Sequence, residues 1–516
     1  MNLLKALATI SGMTMLSRVT GMLREILIAR AFGASAYTDA YNIAFRIPNL
    51  LRRLFAEGAF SQAFVPILAE YKTQQGQDAT KSLVDHVATV LAWVLVLTCV
   101  LGVVAAPAIV FLVATGFTSN PKIFQASIVM TRIMFPYIGF MSLVALAGGI
   151  LNTWREFKIP AFTPVLLNVC SIAASLFLAP YLEHPIYALA IAVFVGGVMQ
   201  LVIQVPPLIR IGMLPKIEWN PAFALRDPGV RRVLRKMGPA VFAVSAAQIS
   251  IMINTNIASH LPPGSVSWLT YADRLMEFPT ALLGVALGTI LLPSLSTANS
   301  EGNTAEYSAL LDWGLRLTFL LALPAGLALA TLSKPLTTTL FHYGKFNAQD
   351  VAMTGNALIA YGVGLIGLII VKILAPGFYA KQDIRTPVKI ALIVLIVSQA
   401  MNAIFVPKMA HAGLALSVGL GACLNALLLY TGLKRKGIYV AHPGWRLFFL
   451  KLFAALALMA GTSMWIAGRF DWLALHAQPI KRIIIMLVVI IASMTIYFGS
   501  LLAMGFRLKD FRRISN

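Results

Sequence analysis

Charged side chains interrupt only a few of the long apolar runs in this sequence, and they are the side chains that could carry chemistry. The first two runs hold most of them, and a later run holds two more: Arg18, Arg24, Asp39, Arg46, Arg52, Arg53, Glu57, Asp273 and Arg274. Near the centre of a bilayer each would cost at least about 2.5–3.5 kcal/mol, so their presence indicates a function. Arginine outnumbers acid, and a guanidinium donates two parallel hydrogen bonds to phosphate. The pattern therefore predicts a cavity that receives an anion such as a diphosphate.

Helical geometry limits how these groups act together. On an α-helix Arg18 and Arg24 lie about 9 Å apart along the axis and about 120° apart around it, so they share a wide cavity but no narrow stripe. Ser17 and Arg24 are seven residues apart and share one face. In the competing interpretation, the arginines snorkel to lipid headgroups or pair with the acids of the same runs, Asp39 and Glu57.

The elements that position these groups are predicted to be membrane helices. The 516 residues are 59% hydrophobic and 12% charged, with a mean hydropathy of +0.81, whereas soluble chains carry about 25% charged residues. Backbone groups in lipid must be satisfied within their own segment, so apolar runs of about 20 residues are helices rather than open strands. We predict an all-α polytopic membrane protein with fourteen transmembrane helices, at about 7–31, 36–66, 86–114, 123–152, 159–179, 185–209, 238–259, 268–296, 308–333, 351–378, 387–406, 411–433, 447–468 and 482–505.

The net charge of +22 indicates topology rather than nucleic-acid binding, because the basic residues lie mostly in short loops between apolar runs. With the N-terminus inside, the inner loops and the two termini hold most of the Lys and Arg. The outer side holds few: Lys122, Lys334, Lys345, Lys408, Arg469, Lys481 and Arg482. An even number of spans then places both termini in the cytoplasm. The first run lacks a convincing cleavage site, so we predict a membrane helix there rather than a removed signal peptide.

The sequence repeats itself with an offset of 227 residues. This offset relates Pro66 to Pro293, Pro160 to Pro387, Pro180 to Pro407 and His184 to His411. Six helices per copy give two copies of like orientation, a parallel repeat known from transporter folds. We predict a first six-helix lobe over 1–209, a basic cytoplasmic linker over 210–237, a second lobe over 238–433, and two extra helices with a cytoplasmic tail over 434–516. The substrate path is expected between the lobes.

Short motifs that are known from soluble enzymes occur here in sequence surroundings that do not support their usual function. Gly362, Gly364 and Gly367 spell G-x-G-x-x-G inside an apolar run with no strand before it, which favours close helix packing over dinucleotide binding. The three cysteines lie in apolar runs without CxxC spacing, so neither a disulfide nor a zinc site is predicted. No P-loop, metal-spaced histidine cluster or Ser-His-Asp set occurs. We therefore predict neither a metal nor a cofactor.

Specific strings fill the charged runs of both lobes. The first lobe carries Ser17-Arg18, Gly21, Arg24, Phe32-Gly33-Ala34, Thr38-Asp39-Ala40, Pro48-Asn49-Leu50-Leu51-Arg52-Arg53 and the stretch 55–66. The second carries the stretches 265–268, 271–279 and 374–379. With these strings the chain resembles the MurJ/MviN-type lipid II flippases, and the resemblance runs from Met1 through the fourteenth predicted span.

The resemblance implies the fold of the MOP exporter superfamily, with two lobes, alternating access and a central cationic cavity. It implies that lipid II, the undecaprenyl-diphosphate-linked peptidoglycan precursor, moves from the inner to the outer leaflet of the bacterial inner membrane during cell wall biogenesis. In the family the diphosphate-facing arginines match Arg18, Arg24, Arg52 and Arg274, with Asp39 and Glu57 as polar partners. The candidate substrate-binding set adds Ser17, Asn49 and Arg53.

The resemblance also implies that the last two spans form a groove for the polyprenyl tail. Expected partners are lipid II, membrane lipids, and the cell-wall synthesis or division machinery. Some members are thought to bind sodium through acids in spans seven and eleven. Here span eleven offers Gln399 and Asn402 but no carboxylate, so the resemblance does not extend to sodium binding.

Two other classes of function remain as alternatives. One is a MOP-type exporter of another lipid-linked oligosaccharide or of small-molecule drugs, although an arginine-rich cavity disfavours cationic drugs. The other is a membrane enzyme such as a polyprenyl-linked glycosyltransferase, which would need paired acids in its loops. The outer loops hold few acids and none are paired: Glu183, Asp350 and Asp471. We therefore predict a transporter rather than an enzyme.

Overall fold

The described part of the chain is entirely helical. The computed structural model covers residues 3–52 and 60–507, and no β-strand occurs among them. Ten helical segments in these ranges are long and apolar enough to cross a membrane. The prediction of an all-α polytopic membrane protein is therefore confirmed.

The described residues form helices that we number α1 to α21 in chain order. They are α1 Leu3–Phe32, α2 Ala36–Arg52, α3 Ser61–Gln74, α4 Gly76–Val104, α5 Ala106–Val113, α6 Pro121–Met134, α7 Tyr137–Thr153, α8 Lys158–Ala173, α9 Tyr187–Val202, α10 Val205–Arg210, α11 Pro221–Ala224, α12 Pro228–Ser259, α13 Ser265–Pro279, α14 Ala286–Ser300, α15 Thr304–Thr331, α16 Ser333–Phe341, α17 Ala348–Tyr379, α18 Arg385–Met409, α19 His411–Arg435, α20 Trp445–Ala467 and α21 Pro479–Ala503. A wider π-helical segment, Thr280–Val285, joins α13 to α14.

Each of the fourteen predicted spans coincides with one or more of these helices, and ten of them are the segments that meet the length and hydropathy requirements. The other four are the first, second, seventh and eighth spans, which correspond to α1, α2 with α3, α12, and α13 with α14. These spans either divide into shorter helices or carry several charged side chains. Fourteen therefore stays the predicted number of membrane crossings.

The chain divides into two compact units, Met1–Val266 and Ser267–Asn516. In the first unit α1 packs on α8, and α2 packs on α6 and α7. In the second unit α17 packs between α15 and α19, and α20 packs on α21 and α15. Helix α12 packs against α3, α4 and α5 and so lies in the first unit, whereas the prediction places residues 238–259 in the second lobe.

The 227-residue offset recurs in the helix boundaries. Added to the end of α1 at Phe32 it gives Ser259, where α12 ends. Added to the limits of α4 it gives 303–331, and α15 spans Thr304–Thr331. Added to the start of α8 it gives residue 385, where α18 starts. The two copies therefore share one pattern of helices.

Backbone conformation repeats with the same offset. Arg155 and Gln382 both have a positive φ, 63° and 59°, a backbone conformation that residues other than glycine rarely adopt. The amide of Glu156 donates to the carbonyl of Leu151 at 2.9 Å, and the amide of Asp383 donates to that of Phe378 at 3.0 Å. Because these equivalent turns are built from different residues, the internal repeat is a property of the fold.

The glycine motif in α17 is a packing surface, as predicted. A Cβ built on Gly364 would come within 2.0 Å of the Cα of Gly419 in α19. A Cβ on Gly362 would come within 2.7 Å of the Gly326 carbonyl oxygen in α15. Small residues let these membrane helices approach backbone to backbone, where dispersion contacts hold them together. The glycines of the motif therefore pack α17 against its neighbouring helices.

The predicted linker, residues 210–237, is packed on the first unit. The amide of Lys216 donates to Asp85 Oδ1 at 2.7 Å, and the amide of Glu218 donates to Thr89 Oγ1 at 3.0 Å. Asp227 caps α12, which starts at residue 228, ten residues before the predicted seventh span. The C-terminal third of the linker is therefore the first part of α12.

Candidate functional site

One face of α1 is tied to α8 through a single amide side chain. The Arg24 Nη1 donates to Asn168 Oδ1 at 3.1 Å, and Asn168 Nδ2 donates to the Ser17 carbonyl oxygen and the Thr20 hydroxyl, each at 3.1 Å. Gly21 lies between them, and a Cβ there would come within 3.5 Å of Asn168 Nδ2. Asn168 therefore contacts the side chain of Arg24 and the backbone of Ser17, and a shared face of the two side chains stays a prediction.

The Arg24 guanidinium has polar partners for some of its nitrogen atoms but not for all of them. It forms an ion pair with the neighbouring Glu25 carboxylate, and the two side chains are 12% and 8% exposed. Its Nε is buried and donates no hydrogen bond among the described residues. A buried donor without an acceptor costs about 1–3 kcal/mol. The arrangement therefore has capacity for one further acceptor, such as a phosphate oxygen.

Arg18 lies on a different face of α1 from Asn168. Its side chain is exposed and has no hydrogen bond or ion pair within the described ranges. Two arginines and one glutamate thus leave this stretch of α1, residues 17–25, with a net positive charge. A guanidinium without a carboxylate partner can bind an anionic group without first losing an existing ion pair.

Asp39 lies beyond the other end of α1. It is in the first turn of α2, it is 3% exposed, and its Oδ2 accepts a hydrogen bond from the Gly264 amide at 2.6 Å. It borders a cavity of about 360 Å³ in the first unit, lined by the α5–α6 connection and the end of α12. About 12 Å of helix separates Arg24 from the end of α1. Asp39 therefore binds the segment that follows α12. This contact was not predicted, since the sequence suggested Asp39 only as a partner for arginines.

The predicted residues at the end of α2 are described only in part. Asn49 is half-buried on this helix, next to Pro48. Arg52 is the last residue of α2, and its side chain lies outside what the structure describes. Arg53 and Glu57 lie wholly outside the described residues. Their assignment to the site therefore stays a prediction.

Arg274 belongs to the second unit, on α13. Its Nη1 contacts Glu277 Oε2 at 2.8 Å, and the two side chains are 32% and 46% exposed. Pairs of this exposure contribute about 0–1 kcal/mol, so an incoming anion can replace the glutamate at little cost. The assignment of Arg274 to the site stays a prediction.

Three further charged or amide residues were not selected from the sequence as site residues. Glu25 is adjacent in sequence to Arg24, so an ion pair between the two could have been predicted. Asn168 is the one amide in a run of apolar residues on α8. Lys372 is a lysine within the membrane helix α17, and its Nζ approaches the Thr280 carbonyl at 3.5 Å, at the start of the π-helical segment. An ionisable residue in a membrane span is a functional candidate, and π segments often occur at functional sites.

Comparison with known proteins identifies the family. Residues 28–482 match the family model described as "Lipid II flippase MurJ". The chain belongs to this family. It is 62% identical over 513 residues to the lipid II flippase MurJ of Burkholderia cenocepacia, covering 99% of both chains. It is 38% identical to the probable lipid II flippase MurJ of Vibrio cholerae, covering 99% of this chain and 98% of the relative.

Solved structures show the same fold in this family and outside it. A lipid II flippase MurJ in an inward closed conformation superposes with a TM-score of 0.79 at 24% identity, covering 96% of this chain and 99% of the other. An inward-facing multidrug resistance transporter of the MATE family superposes with a TM-score of 0.68 at 14% identity, covering 84% and 98%. The MurJ-family chain therefore has the fold of the MOP superfamily, as predicted from the sequence.

Proposed function

We propose that this chain is a lipid II flippase, which moves the undecaprenyl-diphosphate-linked peptidoglycan precursor from the inner to the outer leaflet of the bacterial inner membrane. The observation that carries the proposal is the net positive face of α1 in a chain that matches the Burkholderia cenocepacia flippase at 62% identity over almost its whole length. The activity is transport and forms no covalent bond. The chain is accordingly a transporter and not an enzyme.

The proposal is supported by the cost of moving a diphosphate through lipid. An isolated charge in a low-dielectric medium costs many kcal/mol, so a headgroup cannot cross bare hydrocarbon at a useful rate. Arg18 and the buried Nε of Arg24 supply hydrogen-bond donors and positive charge that replace its water. Arg274 of the second unit is the third arginine of the predicted set.

The proposal includes alternating access, in which the arginines are open to one leaflet at a time. The polyprenyl tail remains in lipid throughout, because its transfer needs no polar cavity. Exposed apolar side chains along α21 support contact with such a tail: Ile484 is 55% exposed, Val488 54% and Ile491 61%. The proposed tail groove is formed by α20 and α21.

We also propose that both termini lie in the cytoplasm and that the arginines first meet lipid II from the inner leaflet. The excess of Lys and Arg in the loops on one side of the predicted spans supports this orientation. Because lipid II is consumed on the outer surface, the cell-wall synthesis or division machinery is the proposed protein partner. The candidate site combines Ser17, Arg18, Arg24, Asn49, Arg52, Arg53, Asp39, Glu57 and Arg274.

The test is depletion of the protein in its bacterium, followed by measurement of lipid II on each leaflet with a lipid II-cleaving enzyme added outside the cell membrane. We expect lipid II to become inaccessible to the enzyme on depletion. Arg18→Ala, Arg24→Ala and Arg274→Ala should fail to restore accessibility at normal membrane levels. Arg435→Ala, which removes an exposed arginine of α19 elsewhere, should restore it fully. Restoration by all three site variants would contradict the site assignment.

The alternative of drug export shares the fold, since MATE transporters superpose on this chain. Direct binding to the purified protein separates the two activities. We expect lipid II to bind and cationic drugs not to compete, because the face of α1 is positive. Competition by a cationic drug at equal concentration would favour the exporter.

A further inference from the structure

A cavity of about 210 Å³ lies in the second unit, away from the arginines considered above. It is formed by α15, the start of α20 and the residues after α21, and its lining includes Arg316, Gly444, Leu447, Phe448, Lys451 and Phe506. Its volume is several times the ~30 Å³ that one water molecule occupies. Two cationic side chains reach into a cavity whose other walls are mainly aromatic and aliphatic.

Arg316 is fixed in place by a buried carboxylate. Its Nε donates to Asp312 Oδ2 at 2.8 Å, and its Nη2 donates to the Pro443 carbonyl oxygen at 2.8 Å. Asp312 also accepts hydrogen bonds from the Tyr439 hydroxyl and the Trp445 indole, each at 2.8 Å. Asp312 accepts hydrogen bonds from several donors, so its negative charge is shared among them. It therefore orients the Arg316 guanidinium but neutralises the positive charge of that group only in part.

The third nitrogen of Arg316, Nη1, lies near Gly444. A Cβ built on Gly444 would lie 3.9 Å from Nη1, and Gly444 itself lines the cavity. The guanidinium carbon lies 5.0 Å from the Trp445 ring centroid, so the flat group is stacked on an aromatic wall. A rigid guanidinium whose Nη1 donates no hydrogen bond within the described residues loses little conformational entropy when it binds an oxyanion.

Lys451 supplies the second positive charge. It is half-buried on α20, and within the described residues no carboxylate lies within 4 Å of its Nζ. The Nζ lies 5.6 Å from the Phe506 ring centroid. Lys451 lies near the end of a membrane helix, without an ion-pair partner and only partly exposed. Burying its positive charge in this way costs free energy unless a bound anion offsets that cost.

The outward face of α20 continues from the cavity as apolar surface. Leu447 is 56% exposed, Leu450 69% and Phe453 57%. In a membrane protein such a face contacts acyl chains. A ligand that fits both parts has an anionic phosphate at one end and acyl chains at the other. Basic pockets between membrane helices bind the headgroups of anionic lipids in this way.

We propose that the cavity at Arg316 and Lys451 binds the phosphate of an anionic glycerophospholipid, with its acyl chains along α20. The Lys and Arg distribution places the ends of α15, α20 and α21 that form the cavity on the cytoplasmic side. The lipid is a bound component of the bilayer and not the cargo. Its phosphate site includes none of the residues of the candidate cargo site.

The experiment is native mass spectrometry of the full-length purified protein, titrated separately with phosphatidylglycerol, phosphatidylcholine of the same acyl chains, and sodium phosphate. Phosphatidylglycerol should bind, and Lys451→Gln should weaken that binding about tenfold, since a charge-assisted hydrogen bond is lost. Lys451→Arg keeps the charge and should restore it. Lys389→Gln is the matched control, because it removes an exposed lysine of α18 outside the cavity and should leave binding unchanged.

Several outcomes would overturn the proposal. Equal weakening by Lys389→Gln and Lys451→Gln would show general surface charge. Equal binding of phosphatidylcholine would show that no anionic headgroup is selected. Displacement of phosphatidylglycerol by millimolar sodium phosphate would assign the cavity to free phosphate. Displacement by an equal concentration of lipid II would assign it to the transport cargo.

Discussion

At the scale of single residues, the arrangement around Arg24 shows how an arginine can be positioned without being neutralised. Glu25 pairs with one side of the guanidinium and Asn168 accepts from another. Both partners orient the group, but only Glu25 carries a charge. Arg18 has no partner in the described chain. The stretch therefore keeps a net positive charge while Arg24 is held in one rotamer.

Asn168 is expected to act as a positioning residue for Arg24. Asn168→Ala removes the acceptor of Arg24 Nη1 and both hydrogen bonds to α1. We expect lipid II translocation to fall about tenfold, since a hydrogen bond to a charged group contributes about 1.5–3 kcal/mol. Ser171→Ala is the control, because Ser171 is equally buried on α8 but its hydroxyl donates only to the Leu167 carbonyl. Transport assays in vesicles at matched protein amounts would show the difference, and an equal fall in both variants would contradict the role.

A second residue-scale prediction concerns pH, at the turn between α17 and α18. Hydrogen bonds from the Lys436 ammonium and the Thr386 hydroxyl lower the pKa of the Asp383 carboxyl from 3.8 to about 2. A pKa that is lower in the folded state stabilises the fold at pH above about 4, and this stabilisation is lost as the pH falls towards 2. The pair is partly exposed, so its contribution is about 0.2–1 kcal/mol.

The measurement is the melting temperature of the detergent-solubilised protein between pH 6 and pH 2.5. Asp383→Asn should lower it at pH 6, and the difference from the unchanged protein should shrink below pH 4. Lys436→Gln should have the same effect, whereas Lys434→Gln, which removes an exposed lysine in the last turn of α19, should not. A difference that stays constant across this range would rule out the Asp383 carboxyl as its source.

At the scale of elements, the second unit is held together where helices approach without side chains between them. Gly364 and Gly419 bring α17 and α19 together, and Gly326 and Gly362 bring α15 and α17 together. In lipid there is no hydrophobic driving force between apolar helices, so close backbone contact is a main source of association.

Enlarging one of these glycines should separate the helices. A Cβ at Gly364 would overlap the backbone of Gly419, which cannot move as a flexible side chain could. We expect Gly364→Ala to destabilise the protein by about 1–3 kcal/mol. Gly461→Ala in α20 is the matched control, since a Cβ there meets nothing within 4 Å. Melting temperature and the yield of monodisperse protein would report the effect, and equal values for the two variants would disprove close packing at Gly364.

At the scale of the whole molecule, the distribution of charge predicts the orientation in the membrane. Inner loops and termini carry most of the basic residues, and both termini are proposed to be cytoplasmic. In a version without the native cysteines, Thr118→Cys between α5 and α6 should react with a membrane-impermeant maleimide in intact cells. Gln75→Cys, between α3 and α4, should react only after permeabilisation. The opposite labelling pattern would reverse the orientation.

The sequence by itself determined the helices, their approximate limits and the internal repeat. Apolar runs in a bilayer must satisfy their backbone groups internally, so hydropathy was sufficient to place ten of the fourteen spans. The offset read from Pro160 and Pro387 also relates Arg155 to Gln382, where the structure has equivalent turns. The family resemblance rested on contiguous strings, and the comparisons confirmed it.

Only the tertiary structure decided the partners of the charged groups. Asn168 is 144 positions from Arg24 and Gly264 is 225 from Asp39, and no local pattern links such pairs. It also assigned α12 to the first unit, although the repeat makes it the counterpart of α1. The physical reason is that helix formation depends on nearby residues through the backbone. The partner of a buried polar side chain depends on which surfaces the packed helices bring together.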